Sequence, residues 1–325
     1  MDYRRDSPLI LEYIEIHRFY SPGVAAGFFS PLPLFGGVVL PSLRHLRLDG
    51  VNIHWEVGVL SRLTTLDLRR IAVELLPSSA DFRAVLSGAD GLEKLVLDAA
   101  GPKYERDVLH TFPPVTVASL RILVLGNLAD YYAEYFLSHF IAPNVLHLTI
   151  MHPMHYIYTK LLTSLSSTSR MPKVKILNLN KLPMVGLPIP NESQSLLARW
   201  FESMPELTFI RLSQTSHQIW EVLSSGQSPG TIDDSEGGVR PNLLCPQLSY
   251  VDYQSDLNNF DNFTAWIGHR RRMGYPLRKV WVTPDIARGL GGVQKARLLD
   301  ALGGLGVAQP SGMSTMEEEA MCKPV

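Results

Sequence analysis

Large apolar residues recur along the chain in one short cadence. They occupy the first, fourth and sixth places of a six-residue figure whose other places are polar or mixed. LRHLRL from Leu43, LTTLDL from Leu63, LEKLVL from Leu92 and LRILVL from Leu120 show it most plainly. With apolar substitutes allowed, further figures start at Leu11, Val145, Val174, Leu207, Leu248 and Leu277, which makes ten. Successive starts lie 32, 20, 29, 28, 25, 29, 33, 41 and 29 residues apart. Alternate side chains of an extended segment point the same way, so the fourth and sixth places share one face of a short strand. The first place packs where that strand begins. Burying one large aliphatic side chain is worth about 1.5–3 kcal/mol, which a single figure cannot collect and a stack of figures can.

The segments between figures read as helices. Residues 81–90, 130–140, 192–204 and 258–274 carry apolar residues at helical spacing. In the third of these Leu196, Leu197, Trp200 and Phe201 form the stripe, and Glu192 and Arg199 fall off it. A strand figure returning every 20–30 residues with helices between is the pattern of leucine-rich repeats. The expected fold is therefore α/β: an irregular leucine-rich-repeat solenoid, a horseshoe with a parallel concave sheet and helices on its convex side. An ordinary α/β sheet is the rival. The recurring figure disfavours it, as does the lack of a glycine-rich first strand–helix turn. The array is expected over residues 1–303, with a flexible insertion near 224–240 and a disordered tail over 304–325. Consensus repeats often carry Asn or Cys at the ninth place. Here that place holds Phe19, Val51, Ile71, Ala100, Leu128 and Leu182, so no asparagine ladder forms and irregular turns are expected.

If the first, fourth and sixth places are buried, the third and fifth face outward from the sheet. The candidate protein-binding residues on that concave face are Tyr13, Arg47, Val96, Ile122, Val124, His147, Ile176, Phe209, Arg211, Tyr250 and Trp281. Apolar side chains at the centre with polar ones around them are the usual build of a protein interface.

Composition narrows the partner. Of 325 residues, 46% are hydrophobic and 19% charged, and the formal net charge is −1. That balance gives no general attraction for nucleic acid or an anionic membrane. Cys245 and Cys322 cannot build a disulfide framework and point to a reducing compartment. The N-terminus shows no signal-peptide pattern, and the longest apolar stretch, GVAAGFFSPLPLFGGVVL, is broken by Pro31 and Pro33. A cytoplasmic or nuclear protein is expected.

Motifs that look chemical weaken on inspection. GQSPG at 226–230 matches a nucleophile elbow, but the residue after the serine is Pro229, which has no N–H for an oxyanion hole. It lies in a polar loop inside the widest gap. His147, His152 and His155 cluster around Pro153 with no Cys or acid at ligand spacing. The basic run HRRRMGYPLRK at 269–279 fits a helix C-terminus, where cations are favoured, as well as a phosphate contact or a nuclear import signal. MEEEA at 316–320 reads as solvated tail, and the sequons at Asn191 and Asn262 matter only in a secreted chain. No P-loop or dinucleotide fingerprint occurs, and no paired carboxylates fall in a plausible cleft. No enzyme activity, cofactor or metal is expected.

SPLILEYIEI, FGGVVLPSLRHLRLDGVNIHW, LSRLTTLDL and WIGHRRRMGYPLRKVWV resemble the irregular leucine-rich-repeat region of fungal F-box-like proteins, particularly the basidiomycete set, over roughly residues 7–285. That resemblance implies substrate recognition for a ubiquitin ligase, with ubiquitin transfer done by other subunits. In the family an F-box precedes the repeats and docks a Skp-type adaptor. The ten residues before Leu11 cannot hold such a helical module. The chain is therefore expected to be a fragment, a truncated gene model or an adaptor-less relative, and to bind a Skp-type adaptor only if an F-box is encoded upstream. The alternatives are a free-standing repeat scaffold with no ubiquitin link and an enzyme with an unrecognised site.

Overall fold

The structure is a computed structural model that describes residues 11–18, 40–51, 53–55, 60–105, 113–151, 159–167, 171–182, 190–225, 243–255, 257–303 and 309–310. It divides into two compact units, residues 1–128 with 135–142 and residues 129–134 with 143–325.

In the first unit, β1 (Tyr13–His17), β2 (His45–Asp49), β3 (Thr65–Arg69), β4 (Lys94–Asp98) and β6 (Ile122–Gly126) form a parallel sheet in which each pairs with the next. Every strand starts at the third residue of its figure, and register runs third place to third place, Tyr13 opposite His45 and His45 opposite Thr65. The second-place carbonyl sets that register by accepting from two N–H groups of the following figure. Glu12 accepts from Arg44 and His45, and Arg44 from Thr64 and Thr65. The first, fourth and sixth places are the core, with Leu43, Leu46, Leu48, Leu92, Leu95 and Leu97 fully buried. Helix α1 (Ser79–Gly88) is capped by Ser78, whose hydroxyl oxygen accepts from the Asp81 N–H, and it buries Phe82, Val85 and Leu86. Two short strands outside the figures, β5 (Val115–Thr116) and β7 (Phe140–Ile141), pair in parallel. Beside them His139 sits under the Tyr135 ring, with centroids 4.6 Å apart.

The second unit repeats the plan. Strands β8 (His147–Met151), β9 (Ile176–Asn180), β10 (Phe209–Ser213), β11 (Tyr250–Gln254) and β12 (Lys279–Val282) pair in order, again third place to third place. The two-residue β13 (Gln309–Pro310), inside the stretch expected as a tail, pairs with β12. Helices α3 (Thr159–Ser166), α4 (Pro190–Glu202), α5 (Gln218–Ser225), α6 (Phe260–Arg272), α7 (Pro284–Gly289) and α8 (Gly292–Leu302) complete this unit, and α2 (Asp130–Leu137) contributes its first residues. The helices lie on the sixth-place side of the sheet. Tyr253, the sixth residue of its figure, stacks on Phe263 of α6 at 4.5 Å and meets Trp220 of α5 at 6.0 Å.

The α/β leucine-rich-repeat fold expected from the sequence is thus present, and the four expected helices correspond to α1, α2, α4 and α6. The turns vary, as expected, but six share one conformation. At the eighth place of the figure Arg18, Ser255 and Pro284 are not left-handed, whereas Gly50, Arg70, Ala99, Asn127, Lys181 and Gln214 are, at φ 48° to 68°. That geometry aims the eighth N–H at the seventh-place carbonyl of the next strand, as in Gly50 to Arg69 at 2.9 Å and Ala99 to Gly126 at 2.9 Å. The ninth-place residues Val51, Ile71, Ala100, Leu128 and Leu182 are buried, so apolar packing occupies the place of an asparagine ladder. The insertion expected near 224–240 falls almost wholly outside the described residues, as does most of the tail.

Candidate functional site

The third and fifth places of each figure form the sheet face away from the helices. In the first unit this face is a chain of ion pairs at one end and an apolar step at the other. The Tyr13 hydroxyl donates to Glu15 at 2.6 Å, and Arg47 reaches Glu15 at 2.6 Å and Asp67 at 3.7 Å. Arg69 grips Asp67 with two bonds, 2.7 and 3.0 Å. Donation from Tyr13 and contact with His17 hold the Glu15 carboxyl below its usual range, while the same bond raises the Tyr13 phenol. At the seventh place, two residues beyond Arg47, Asp49 is nearly closed to solvent and accepts from Arg70 and His17, and the Arg70 guanidinium lowers its carboxyl pKa. Beyond Asp67 the fifth-place row continues as Val96 and Val124, with Ile122 beside them on the third-place row.

In the second unit the face is aromatic and polar. Phe209 and Trp281 meet edge to face at 6.1 Å, and Tyr250 lies 6.2 Å from Trp281. The Arg211 guanidinium carbon is 5.7 Å from the Phe209 ring centre and its Nε donates to Asp252 at 2.8 Å; the Lys279 ammonium sits 4.4 Å from the Trp281 ring centre. Asp252 also accepts from Gln254 at 2.9 Å. At the other end of this face, the amide of Asn178 donates to His147 Nε2 at 2.7 Å, and Thr149 Oγ1 lies 3.2 Å from the same nitrogen.

The eleven candidate residues therefore occupy the expected rows, but they are not equally open. Tyr13 is 56% exposed, and Arg47, Ile122, Val124, His147, Arg211 and Tyr250 are half-buried. Val96, Ile176, Phe209 and Trp281 are buried, which corrects the expectation that they face solvent. Neighbouring strands lie about 4.8 Å apart, less than the width of an aromatic ring, so large side chains in one row screen one another. Ile176, Phe209 and Trp281 form such a cluster, with Tyr250 packed against it.

The basic run resolves into separate duties. Arg270, fully buried, donates to the carbonyl oxygens of Leu244, Cys245 and Leu248, each at 3.1 Å, and lies 5.5 Å over the Trp266 ring. Burial lowers its pKa to about 10, so it stays a cation at neutral pH. Arg271 donates to the carbonyl oxygen of Asp300. Burial pushes the Cys245 thiol up to about 12, which removes thiolate chemistry at neutral pH. A hollow of about 250 Å³ brings His54, Ser78 and Asp81 together, yet the Ser78 hydroxyl donates straight to Asp81 at 2.6 Å while capping α1. That is a helix cap, not a nucleophile poised on a base. GQSPG, His152 and His155 lie outside the described residues. Among the described residues no group of three or more His, Cys, Asp or Glu could hold a metal ion, and no helix is long and apolar enough to cross a membrane.

No family model and no curated protein matches the chain. Among solved structures, the crystal structure of the leucine-rich repeat-containing protein LegL7 from Legionella pneumophila is similar, at 13% identity and a TM-score of 0.44 over 80% of each chain. The fold assignment stands on the repeats and strands themselves.

Proposed function

We propose that this chain is a protein-binding repeat scaffold that takes its partner on the strand face opposite the helices. The observation that carries this reading is the division of labour between the two faces. One is sealed by helices and leucines. The other presents ordered side chains of mixed character, with half-buried Ile122 and Val124 in the first unit and Tyr250 beside Arg211 in the second. Tyr and Arg side chains are what interface hot spots are made of, and the apolar side chains beside them give such a patch its core.

A finer reading follows from the likeness to fungal F-box-like repeat regions. In it the face holds a substrate for a ubiquitin ligase assembled through other chains, with a Skp-type adaptor entering only through an F-box encoded upstream. The free-standing scaffold remains the alternative.

The test is partner capture from native extract by the full chain, compared with Ile122→Asp together with Val124→Asp, and separately with Tyr250→Ala. Loss of the same partner from variants that melt normally supports the face. Unaltered capture by both variants overturns it. A Skp-type adaptor and ubiquitylated partner in the captured set would select the ligase reading.

A further inference from the structure

We infer that the free edge of β1 is a docking site for an extended segment of a partner protein, which adds to the first unit as one more strand. This edge is a different surface from the outward strand face.

Two unmet demands coincide there. The first is polar. Main-chain groups of a strand turn alternately to one neighbour and the other. The Glu12 carbonyl and the Arg18 N–H serve β2, so Glu12, Ile14, Ile16 and Arg18 turn theirs towards β2. Tyr13, Glu15 and His17 turn theirs the other way, where β1 ends the sheet and no described strand pairs with it. In later strands the corresponding groups are bonded, the N–H of His45 to Glu12 and that of Thr65 to Arg44. In the second unit the outer edge of β12 is met by β13.

The second demand is apolar. Leu11, at the first place of its figure, is 37% exposed, whereas the first-place residues of the other nine figures are at most 2% exposed. Ile14 is 8% exposed and Ile16 half-buried, while Leu46 and Leu48 of β2 are closed to solvent. The stacked apolar columns thus run out uncovered at the same edge that lacks main-chain partners. An extended chain meets both demands at once. Its main chain answers Tyr13, Glu15 and His17, and apolar side chains at alternate places cover Leu11, Ile14 and Ile16. A helix bonds its main-chain groups internally and meets only the second.

Edges that resist added strands carry proline, lysine or a bulge. The β1 sequence YIEIH has neither proline nor lysine, and its pairing with β2 runs unbroken over all five residues. Its charged side chains are drawn across the sheet and not over the edge: Arg47 of β2 reaches Glu15 at 2.6 Å, and Asp49 of β2 lies 3.3 Å from His17. A second copy of this chain fits less well. Two β1 strands paired antiparallel about their centres would set Glu15 against Glu15, which like charge disfavours.

The experiment is amide hydrogen exchange by NMR on the full chain, alone and with an eight-residue peptide copying residues 63–70, LTTLDLRR, which carries the apolar figure. Two control peptides accompany it, one with its three leucines replaced by serine and one N-methylated at alternate amides. In the free chain the N–H groups of Tyr13, Glu15 and His17 should exchange at least about tenfold faster than those of Ile14 and Ile16. The leucine peptide should slow all three, and neither control should. Slow exchange at these three amides in the free chain, whether it is a monomer or a dimer by light scattering, shows the edge already taken and overturns the inference. So does a leucine peptide that leaves them fast, or a control that protects them equally. None of these outcomes bears on the outward face, which is tested at Ile122, Val124 and Tyr250.

Discussion

The guanidinium of Arg270 donates from Nη1 to the carbonyl oxygen of Leu244 at 3.1 Å, inside a site with no solvent. Cys245 and Leu248 supply two more carbonyls to the same group. Removing a cation from an ion pair can be offset by replacing both partners, but backbone carbonyls stay in place whatever stands at residue 270. Arg270→Leu leaves the Leu244 and Leu248 acceptors unmet in an apolar pocket, each costing about 1–3 kcal/mol, while the Cys245 carbonyl keeps the Leu248 N–H. Urea unfolding should show a loss of at least about 2 kcal/mol. A midpoint unchanged from the parent would show that the clamp carries no stability.

Backbone strain at the eighth place predicts substitutions of opposite sign. Ala99 (φ 48°) holds a left-handed conformation that costs an L-residue roughly 1–2 kcal/mol, and glycine does not feel that cost. Against it stands glycine's greater chain entropy when unfolded, about 0.5–1 kcal/mol. Ala99→Gly should therefore raise the melting temperature slightly, and Gly50→Ala (φ 68°) should lower it. Both melts moving the same way would contradict the turn geometry.

Phe209 and Tyr250 separate stability from recognition. Phe209 is fully buried, so Phe209→Ala should cost about 3–5 kcal/mol. Tyr250 is only half-buried, and Tyr250→Ala should cost far less while reducing partner capture. Equal destabilisation by the two would place Tyr250 in the core.

His139 gives the first unit an acid sensitivity. Its Nδ1 lies 2.7 Å from the carbonyl oxygen of Tyr135, and burial holds the imidazole below its ordinary pKa. The unfolded chain, titrating near pH 6.5, binds a proton that the folded chain refuses, so stability falls as pH drops below about 6.5. His139→Phe removes that titration. Denaturation at pH 7 and pH 5 should show a smaller difference for the variant than for the parent.

Much of this architecture was legible because strand periodicity is local. Ten figures marked ten strands to the residue, since places four and six must point together whatever the rest of the chain does. Helices α3, α5, α7 and α8 were not expected, although Leu161, Leu162 and Leu165 of α3 fall at helical spacing and its stripe was there to be read. The openness of the outward face was not there to be read. Whether Val96 or Phe209 sees water depends on side chains contributed by neighbouring repeats, and no rule of alternation reports that. Arg270 was hidden among three arginines, yet its spacing from Phe263, Trp266 and Ile267 puts it on the buried helical stripe. Helix phase would have separated it from Arg271 and Arg272.

Register in both units is held within the first eight places of each repeat, by the second-place carbonyl and by the eighth-place N–H on the next seventh-place carbonyl. Within a unit the distance from one figure to the next ranges from 20 to 41 residues, yet every pairing keeps the same alignment. Growth of a connection is thereby uncoupled from the alignment of the rows, and lengthening a loop adds only a slowly rising closure entropy. A lineage can remodel its connecting segments by insertion and deletion while the ordered face passes from ancestor to descendant undisturbed.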